Sequence, residues 1–494
     1  MTDLSHVASL SDQLSASYLE YAGALPLEHR DGLLRLATWR ETVDDQVLDD
    51  LRILFDADVE IEQRPESELR SAIHRAYARE STAQGVIDAV TPSDVSVVDD
   101  AGPIDDLVMM ANEAPVVKLV NLLLIEALDA RASDIHLEAS VGGIHVRYRV
   151  DGVLQQAPSP PAHLAAAVVS RLKIMSDLDI AERRLPQDGR MRLRLQNRPV
   201  DVRVSTVPTL HGESVVLRLL DTNQGRIGLH DLGMSEDTLA RFKSAIVKPH
   251  GIVLATGPTG SGKTTTLYAA VDLIRTGREK MLTVEDPIEY QLGIPQVPVN
   301  EKIGVTFATA LRALLRQDPD VMLVGEIRDA ETAEIATQAA LTGHLVLSTL
   351  HTNDAPSALT RLLDLGVAPY LVASTVRAVL AQRLVRTICT SCKTVAGGAP
   401  SELDGLFGGA GLGVVHKGVG CAECRGTGYR GRIGLYEVLT MTDDLRRAVA
   451  ERRDSSELRR LMIANGSPTL HADGLRLVAA GVTTPDEVLR VAAG

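Results

Sequence analysis

Aromatic residues are scarce in this sequence, which contains only four Phe and one Trp among 494 residues. Aliphatic side chains must therefore build the hydrophobic cores. A basic surplus is also missing, because the formal net charge is −14. Since neutralisation of phosphates supplies most non-specific affinity for nucleic acid, this balance argues against DNA or RNA as the main ligand. We therefore expect no nucleic-acid partner.

Long apolar runs are missing too. No stretch of about 18 apolar residues occurs, so we expect no segment that spans a bilayer. The most apolar predicted helix, VVKLVNLLLIEALDA, is interrupted by Lys118 and Glu126. The first residues, MTDLSHVASLSDQL, show no basic stretch followed by an apolar core, so we expect no secretory signal. The chain is predicted to be cytosolic, with any membrane association made through a partner.

What is present is typical of a globular protein, since 45% of the residues are hydrophobic and 23% are charged. Domains usually comprise about 100–200 residues, so the length predicts several of them. Within residues 1–90, a helix followed by a strand at 44–63 and another helix at 66–80 indicate a small α/β domain. A stretch rich in Pro, Ser, Asp and Gly then predicts a flexible acidic linker at 91–114.

A second, α+β domain is predicted over residues 115–225. Apolar and arginine-rich positions alternate strictly at 143–154 and 191–205, which is typical of strands with one buried face. Asp151-Gly152 and the QNRP sequence at 196–199 predict the hairpin turns. Taken alone, the arginine face indicates a solvated sheet surface. The first helix of this domain presents one apolar face, formed by Val116, Leu119, Val120, Leu123, Leu124, Ala127 and Leu128.

Short, continuously apolar strands alternate with helices over residues 226–385. The strands GIVLAT, MLTVED, VMLVGE and HLVLSTL are buried runs, as expected where helices cover both faces of a sheet. This pattern predicts an α/β domain with a mainly parallel sheet. Paired cysteines follow at 386–430, and helices such as SELRRLMIANG occupy 431–494.

The clearest motif is a complete phosphate-binding loop, G-x-x-x-x-G-K-[ST], between a strand and a helix. Its glycines let the backbone approach phosphates, and its N–H groups and the helix N-terminus face the negative charge. Lys263 is expected to contact the β- and γ-phosphates of ATP, and the Thr264 hydroxyl to bind Mg²⁺. The candidate nucleotide-binding residues are Gly257, Pro258, Thr259, Gly260, Ser261, Gly262, Lys263, Thr264 and Thr265.

Two other strands end in acids. Glu326 follows the apolar run VMLV as a Walker B acid, although the commoner pattern has Asp directly after the run. Glu285 and Asp286 end the strand MLTVED. Ligands of open α/β sheets bind at the carboxyl ends of strands. We expect one acid to organise Mg²⁺ through water and the other to position the attacking water, without assigning which; capping of a helix is the alternative role for Glu285 and Glu326.

Two histidines flank the strand LVLSTL. A lone histidine is more often structural than catalytic. The exit of this strand is expected to lie beside the phosphates, so we interpret His351 as a γ-phosphate sensor. His344, at the entry, is the weaker candidate.

Four stretches in this order, GPTGSGKTTTLY, TVEDPIEY, LRQDPDVMLVGEIRD and TGHLVLSTLHTNDA, resemble the Walker A, aspartate, Walker B and histidine boxes of the secretion traffic ATPases. This superfamily includes type II secretion, type IV pilus and type IV secretion motors. ASDIHLE, LPQDGRMRLRL and VDVRVSTVPTLHGESVVLRLLD extend the resemblance over about residues 105–490. It implies an α/β fold: a RecA-like P-loop ATPase domain, preceded by an α+β (PAS-like) domain and a small N-terminal α/β domain.

The resemblance also implies a homohexameric ring in which the second domain swings against the ATPase domain and its arginines reach the nucleotide. The best positional matches are Arg203 in VDVRVST and Arg218 in VVLRLL. Guanidinium groups are suited to γ-phosphate charge in the transition state. Further candidates are Arg312, Arg316 and Arg328, followed by Arg190.

The four cysteines, Cys389, Cys392, Cys421 and Cys424, form two C-x₂-C pairs with 28 residues between them. In a cytosolic protein this arrangement predicts structural Zn²⁺ held by four thiolates, with free thiols as the alternative. Because the gap exceeds that of a compact zinc ribbon, we expect the intervening loop to extend outwards. Among the traffic ATPases, the tetracysteine insert of this chain resembles the inserts of type II secretion motors and pilus extension motors.

The length favours a type II secretion motor over a pilus extension motor, which usually carries more N-terminal sequence. That resemblance implies hydrolysis of ATP to ADP and phosphate to drive pseudopilus assembly and protein export. It also implies binding of residues 1–90 to the cytoplasmic part of an inner-membrane platform protein, and hence a peripheral location at the bacterial inner membrane. The alternatives are a pilus extension ATPase, a nucleic-acid translocase, a P-loop phosphotransferase and a nucleotide-gated scaffold without turnover.

Overall fold

Most of the chain is described by a computed structural model. It covers residues 16–30, 32–40, 42–66, 104–195, 198–221, 227–398 and 414–492, together with 14, 68–69, 72, 82–84 and 87. The chain divides into two units, Met1–Asn223 and Gln224–Gly494. None of the helices within the described ranges combines the length and the apolar composition that crossing a bilayer requires.

The first unit begins with a small three-stranded sheet, in which β1 is antiparallel to β2 and β2 is parallel to β3. Helix α2 packs on it through Val47, Leu51 and Phe55, which follow one another at i, i+4 and i+8. Asp44 caps this helix by accepting the backbone N–H of Gln46 at 3.0 Å. The predicted helix and strand at 44–63 are confirmed. The elements are α1 (Ala16–Ala22), β1 (Ala24–Arg30), β2 (Leu33–Thr38), α2 (Asp45–Phe55) and β3 (Asp58–Gln63).

A six-stranded antiparallel sheet follows in the same unit, with the order β6-β5-β4-β9-β8-β7. Helices α4 and α5 contribute to the core on one of its faces. The elements are α3 (Ile104–Ala111), α4 (Ala114–Asp129), β4 (Ala132–Ser140), β5 (Gly143–Val150), β6 (Val153–Gln156), α5 (Ala165–Met175), β7 (Gln187–Leu195), β8 (Arg198–Thr209) and β9 (Gly212–Asp221).

The sequence patterns of this region are confirmed by burial. Six of the seven predicted apolar positions of α4 are buried, and the seventh, Leu128, packs against the same core. Ile144, Val146 and Tyr148 of β5 point into that core, while the intervening His145 and Arg147 do not. Asp151 and Gly152 form the predicted turn with positive φ angles of 49° and 86°. Positions 196–197 of the other predicted turn lie outside the described residues.

The predicted linker at 91–114 differs from the structure at its C-terminal end, where residues 104–111 form α3. Leu107, Met110 and Ala111 recur at i, i+3 and i+4 and are buried, so a short apolar stripe outweighs the acidic residues near it. Residues 91–103 lie outside the described part of the chain, as does most of the helix predicted at 66–80.

The second unit contains a seven-stranded sheet with the order β12-β11-β13-β14-β10-β15-β18. Its strands are parallel except β18, which runs antiparallel to β15, so the predicted mainly parallel sheet is confirmed. The strands are β10 (Gly251–Thr256), β11 (Met281–Glu285), β12 (Gln296–Pro298), β13 (Val321–Val324), β14 (Leu345–Leu350), β15 (Val376–Ile388) and β18 (Tyr429–Thr440).

Helices cover both faces of this sheet. Ile252 and Leu254 of β10 belong to one core, and the alternate residues Val253 and Ala255 belong to another. The strand is therefore buried on both faces, which explains its continuous apolar sequence. The helices are α6 (Glu236–Ile246), α7 (Lys263–Ile274), α8 (Phe307–Leu314), α9 (Ala330–Leu341), α10 (Ala355–Asp364), α11 (Pro369–Thr375), α12 (Asp443–Ala450), α13 (Ser455–Ala464), α14 (Leu470–Ala479) and α15 (Pro485–Ala492).

The segment between the two cysteine pairs forms a two-stranded antiparallel sheet of β16 (Lys393–Gly398) and β17 (Val414–Gly418). The 28 residues therefore include a β-ribbon whose first strand starts directly after Cys392 and whose second strand ends shortly before Cys421. Residues 399–413, which join the two strands, lie outside the described ranges.

Candidate nucleotide site and metal centre

The phosphate-binding loop lies between β10 and α7, where the sequence predicts it. Gly257 has a φ of 147°, and a Cβ atom there would lie 2.4 Å from the backbone oxygen of Gln382. Gly262 has a φ of 88°, and its Cβ would lie 2.7 Å from the amide nitrogen of the same glutamine side chain. Both positions therefore require glycine. The loop is pressed against β15 on one side, while Pro258, Thr259 and Gly260 are exposed on the other.

Two buried side chains of the loop fit a phosphate ligand. Ser261 is 2% exposed, and among the described residues its hydroxyl finds no hydrogen-bond partner. The Lys263 ammonium donates to the backbone oxygens of Gly257 and Pro258 at 2.8 and 3.0 Å. Burial lowers the pKa of Lys263 to about 8, although the charge of Glu326 opposes this. A buried orphan donor beside a buried cation is the environment that an anion would complete.

Glu326 lies just beyond β13, and its buried carboxylate joins two basic side chains. Arg328 donates to one oxygen, and His351 Nε2 lies 3.2 Å from the other. Thr349 holds this turn in place, because its hydroxyl donates to Gly325 at 2.7 Å. The structure therefore brings together Lys263, Glu326, His351 and Arg328, which the sequence offers as separate candidates.

Glu285 is the last residue of β11 and is 3% exposed. Its carboxylate accepts hydrogen bonds from Tyr268, Thr283 and Gln296. The turn that carries Glu326 is held next to β11, because the backbone N–H of Gly325 donates to the Val284 backbone oxygen at 2.8 Å. Both candidate acids thus lie at the carboxyl edge of the sheet, on adjacent strands, as the sequence predicts.

The weaker candidates of the second unit are His344, Arg312 and Arg316. His344 precedes β14, and its backbone oxygen accepts the N–H of Gly251 at the start of β10. It therefore lies at the opposite edge of the sheet from the loop, about 20 Å away along the six-residue strand, so the structure does not bring this weaker candidate to the phosphate-binding loop. Arg312 is exposed and pairs with Glu331 at 2.5 Å, while Arg316 donates to the Arg312 backbone oxygen at 3.2 Å.

Sequence reasoning missed two residues of β15 that contact the loop. The side-chain oxygen of Gln382 accepts the hydroxyl of Thr266 at 2.8 Å, and its amide lies against Gly262. Arg383 bonds to the Asn353 backbone oxygen at 2.9 Å, just after the histidine box. A polar Gln-Arg pair interrupting the apolar run AVLAQRLV is the signal that identifies them.

The candidate arginines of the first unit share one row across its large sheet. Arg203 is directly opposite Arg218 on β9 and Arg190 on β7. Arg218 also donates to the buried Asp134 at 3.0 Å, and Arg190 pairs with Asp201 through two hydrogen bonds. Arg203 and Arg218 are thus neighbours on a polar face, and their role towards a nucleotide stays a prediction.

The four cysteines form one cluster, in which all the sulfur atoms lie within 4.8 Å of one another. The Cys389–Cys421 and Cys392–Cys424 sulfurs are each 3.8 Å apart. A tetrahedral Zn²⁺ with Zn–S bonds of about 2.3 Å requires a separation of about 3.8 Å. Burial raises the pKa of Cys424, but the backbone N–H groups of Cys421 and Gly428 prevail and lower it to about 6. The donor set therefore fits zinc.

Two family models match the chain. The model described as "Type II/IV secretion system protein" matches residues 109–490, and the one described as "MshEN domain" matches residues 2–83. Among solved structures, the DotB ATPase of Legionella pneumophila superposes with a TM-score of 0.56 at 22% identity, covering 76% of this chain and 95% of that one. The pilus retraction motor PilT with bound ADP gives a TM-score of 0.50 at 24% identity, covering 75% and 96%. These likenesses confirm the RecA-like secretion ATPase fold.

Relatives resemble the chain over most of its length. The type II secretion system protein HxcR of Pseudomonas aeruginosa is 50% identical, covering 88% of this chain and 90% of HxcR. Type II secretion system protein E of Xanthomonas campestris pv. campestris is 47% identical, covering 97% and 84%. The type IV pilus assembly ATPase PilB of Myxococcus xanthus is 45% identical, covering 90% and 79%. Together with the phosphate-binding loop and the acids beside it, these matches establish that the chain belongs to the type II/IV secretion system protein family.

Proposed function

We propose that this chain is the ATPase motor of a type II secretion system, which hydrolyses ATP to ADP and phosphate to drive pseudopilus assembly and protein export. One observation carries the chemistry: a buried lysine and an orphan serine hydroxyl line the phosphate-binding loop, with Glu326 near the lysine. The assignment to type II secretion is supported by relatives of that name that match nearly the whole chain.

Each residue of the site has a distinct part in this proposal. Lys263, the Ser261 hydroxyl and the loop N–H groups bind the β- and γ-phosphates, and Thr264 holds Mg²⁺, which neutralises phosphate charge when bound. Glu285 and Glu326 share the organisation of the metal's water shell and of the attacking water. His351, hydrogen-bonded to Glu326, senses the γ-phosphate.

In the assembled motor, ATP hydrolysis is converted into motion between domains. Six copies form a ring, and Arg203 and Arg218 reach the bound nucleotide, so that loss of the γ-phosphate changes the contacts between the domains. A ligand drives such a motion only through contacts that differ between the two states. Residues 1–90 bind the cytoplasmic part of an inner-membrane platform protein, which keeps the motor at the cytoplasmic face of the bacterial inner membrane. The tetracysteine cluster holds a structural Zn²⁺.

The test of the chemistry is Lys263→Ala, which should abolish ATP turnover by the assembled chain. Lys248→Ala is the matched control, because this exposed lysine precedes β10 at the edge of the sheet away from the loop. Normal turnover in Lys263→Ala overturns the assignment of the nucleotide site.

Pilus extension is the second candidate function, favoured by the 45% identity to PilB. Deletion of the gene for this chain in its host distinguishes the two candidate functions. Loss of secreted enzymes with surface pili retained supports type II secretion, whereas loss of pili with secretion retained supports the pilus motor.

A further inference from the structure

A buried tyrosine joins the phosphate-binding loop to one of the two candidate acids. Tyr268 lies on α7, five residues after Lys263, and its side chain is completely buried. Its hydroxyl donates to one carboxylate oxygen of Glu285 and lies 3.4 Å from the backbone nitrogen of Glu289. Burial and the Glu285 carboxylate raise the pKa of Tyr268 well above its usual value. The phenol therefore stays protonated and remains a donor to that carboxylate.

The other oxygen of Glu285 is held separately. It accepts hydrogen bonds from the hydroxyl of Thr283 and, at 3.0 Å, from the amide nitrogen of Gln296. Both carboxylate oxygens thus have protein donors, which restricts rotation of the group. A residue fixed in this way is pre-organised for one orientation.

The loop between β11 and β12 packs around the same tyrosine. The ring of Tyr290 meets the ring of Tyr268 edge to face, with centroids 4.5 Å apart and an interplanar angle of 86°. Gln296 fastens the loop by donating to the Tyr290 backbone oxygen at 3.2 Å and accepting the Leu292 N–H at 2.8 Å. Tyr268 is therefore the point where α7, Glu285 and this loop meet.

We propose that Tyr268 is a positioning residue that aligns the carboxylate of Glu285 with the phosphate-binding loop, and so with the nucleotide. It acts through Glu285 and contacts no phosphate itself. Because α7 begins at Lys263, a shift of the helix on nucleotide binding is carried directly to the acid. The inference rests on the proposed function, in which Glu285 takes part in ATP hydrolysis.

The main test is Tyr268→Phe, which keeps the buried ring and removes only the hydroxyl. We expect kcat to fall about tenfold, the effect of losing one hydrogen bond to a charged group. KM for ATP should change less than about twofold, because the loop keeps its contacts. Thr283→Val removes a donor to the other carboxylate oxygen and should lower kcat in the same way.

Tyr148→Phe is the matched control. Tyr148 is also buried, in the core of the first unit, and its hydroxyl donates to the Leu123 backbone oxygen at 3.1 Å. Its loss should leave kcat unchanged. Equal losses of kcat in Tyr268→Phe and Tyr148→Phe overturn the positioning role, because they indicate a general effect of removing a buried hydroxyl.

A double variant shows whether Tyr268 acts through Glu285. We expect the kcat of Tyr268→Phe/Glu285→Gln to equal that of Glu285→Gln, whereas independent losses multiply. Multiplied losses, or wild-type kcat in Tyr268→Phe, overturn the inference. If Lys263→Ala abolishes turnover while Tyr268→Phe does not change it, only this inference fails; turnover that survives Lys263→Ala overturns the proposed function as well.

Discussion

His351 Nε2 lies 3.2 Å from a carboxylate oxygen of Glu326, although 24 residues separate them in the chain. The contact forms because β13 and β14 are adjacent parallel strands whose carboxyl ends reach the same edge. His351 remains half exposed while Glu326 is buried. This histidine therefore has a free side from which it can meet a ligand while it holds the acid.

The first prediction tests His351. We expect His351→Gln to lower ATP turnover by at least about tenfold while ATP binding persists, since the lysine and the loop are unchanged. His344→Gln is the control, because it makes the same substitution at the other end of β14. Steady-state ATPase assays and equilibrium nucleotide binding measure the two effects. Equal turnover in the two variants contradicts the sensor role.

The second prediction concerns protonation of Lys263. With a pKa of about 8 in the ligand-free protein, the side chain is mostly neutral at pH 8.5, and a bound triphosphate favours its charged form. Binding should therefore take up protons at pH 8.5 but not at pH 6.5, where the lysine is already charged. The phosphate groups of the nucleotide contribute little to this proton uptake at pH 8.5, because their final ionisation has a pKa of about 6.

Calorimetry with a non-hydrolysable ATP analogue checks this uptake. The binding enthalpy at pH 8.5 should differ between buffers of different ionisation enthalpy, and affinity should weaken as the pH rises above about 8. Lys248→Ala should behave like the unmodified chain. Identical enthalpies in all buffers at pH 8.5 contradict the prediction.

How well a feature of this protein can be predicted from its sequence depends on how local that feature is. The loop from Gly257 to Lys263 is contiguous, so its motif predicts the phosphate-binding site directly. The spacing of the apolar residues in each strand predicts which faces enter the cores. Tyr268 and Gln382 escaped notice, because their importance comes from partners 17 and 116 residues away. His351 and His344 could be ranked from the sequence, since the exit of a parallel strand is expected beside the phosphates and its entry is not.

The third prediction tests the arginine row of the first unit. Arg203→Ala and Arg218→Ala should each lower turnover of assembled rings by about tenfold or more, with ATP binding largely intact, because they remove charge that acts on the transition state. Arg192→Ala is the control. It lies on the same sheet face, is 80% exposed and pairs with Asp201 at 3.6 Å. Unchanged turnover in the first two variants, measured at matched oligomer size, contradicts their role.

The fourth prediction is that the purified chain carries one Zn²⁺ and depends on it locally. Cys389→Ser should remove the metal and lower the thermal unfolding midpoint, because metal binding contributes directly to folding of such sites. Ser391→Ala, in the same C-x₂-C segment, should keep both metal and stability. Elemental analysis and thermal unfolding provide the measurements, and chelation of the unmodified chain should reproduce the Cys389→Ser result. Because β15 runs from Gln382 at the phosphate-binding loop to the strand end next to Cys389, we also expect metal loss to weaken ATP binding. A metal-free chain with unchanged stability contradicts a structural zinc site.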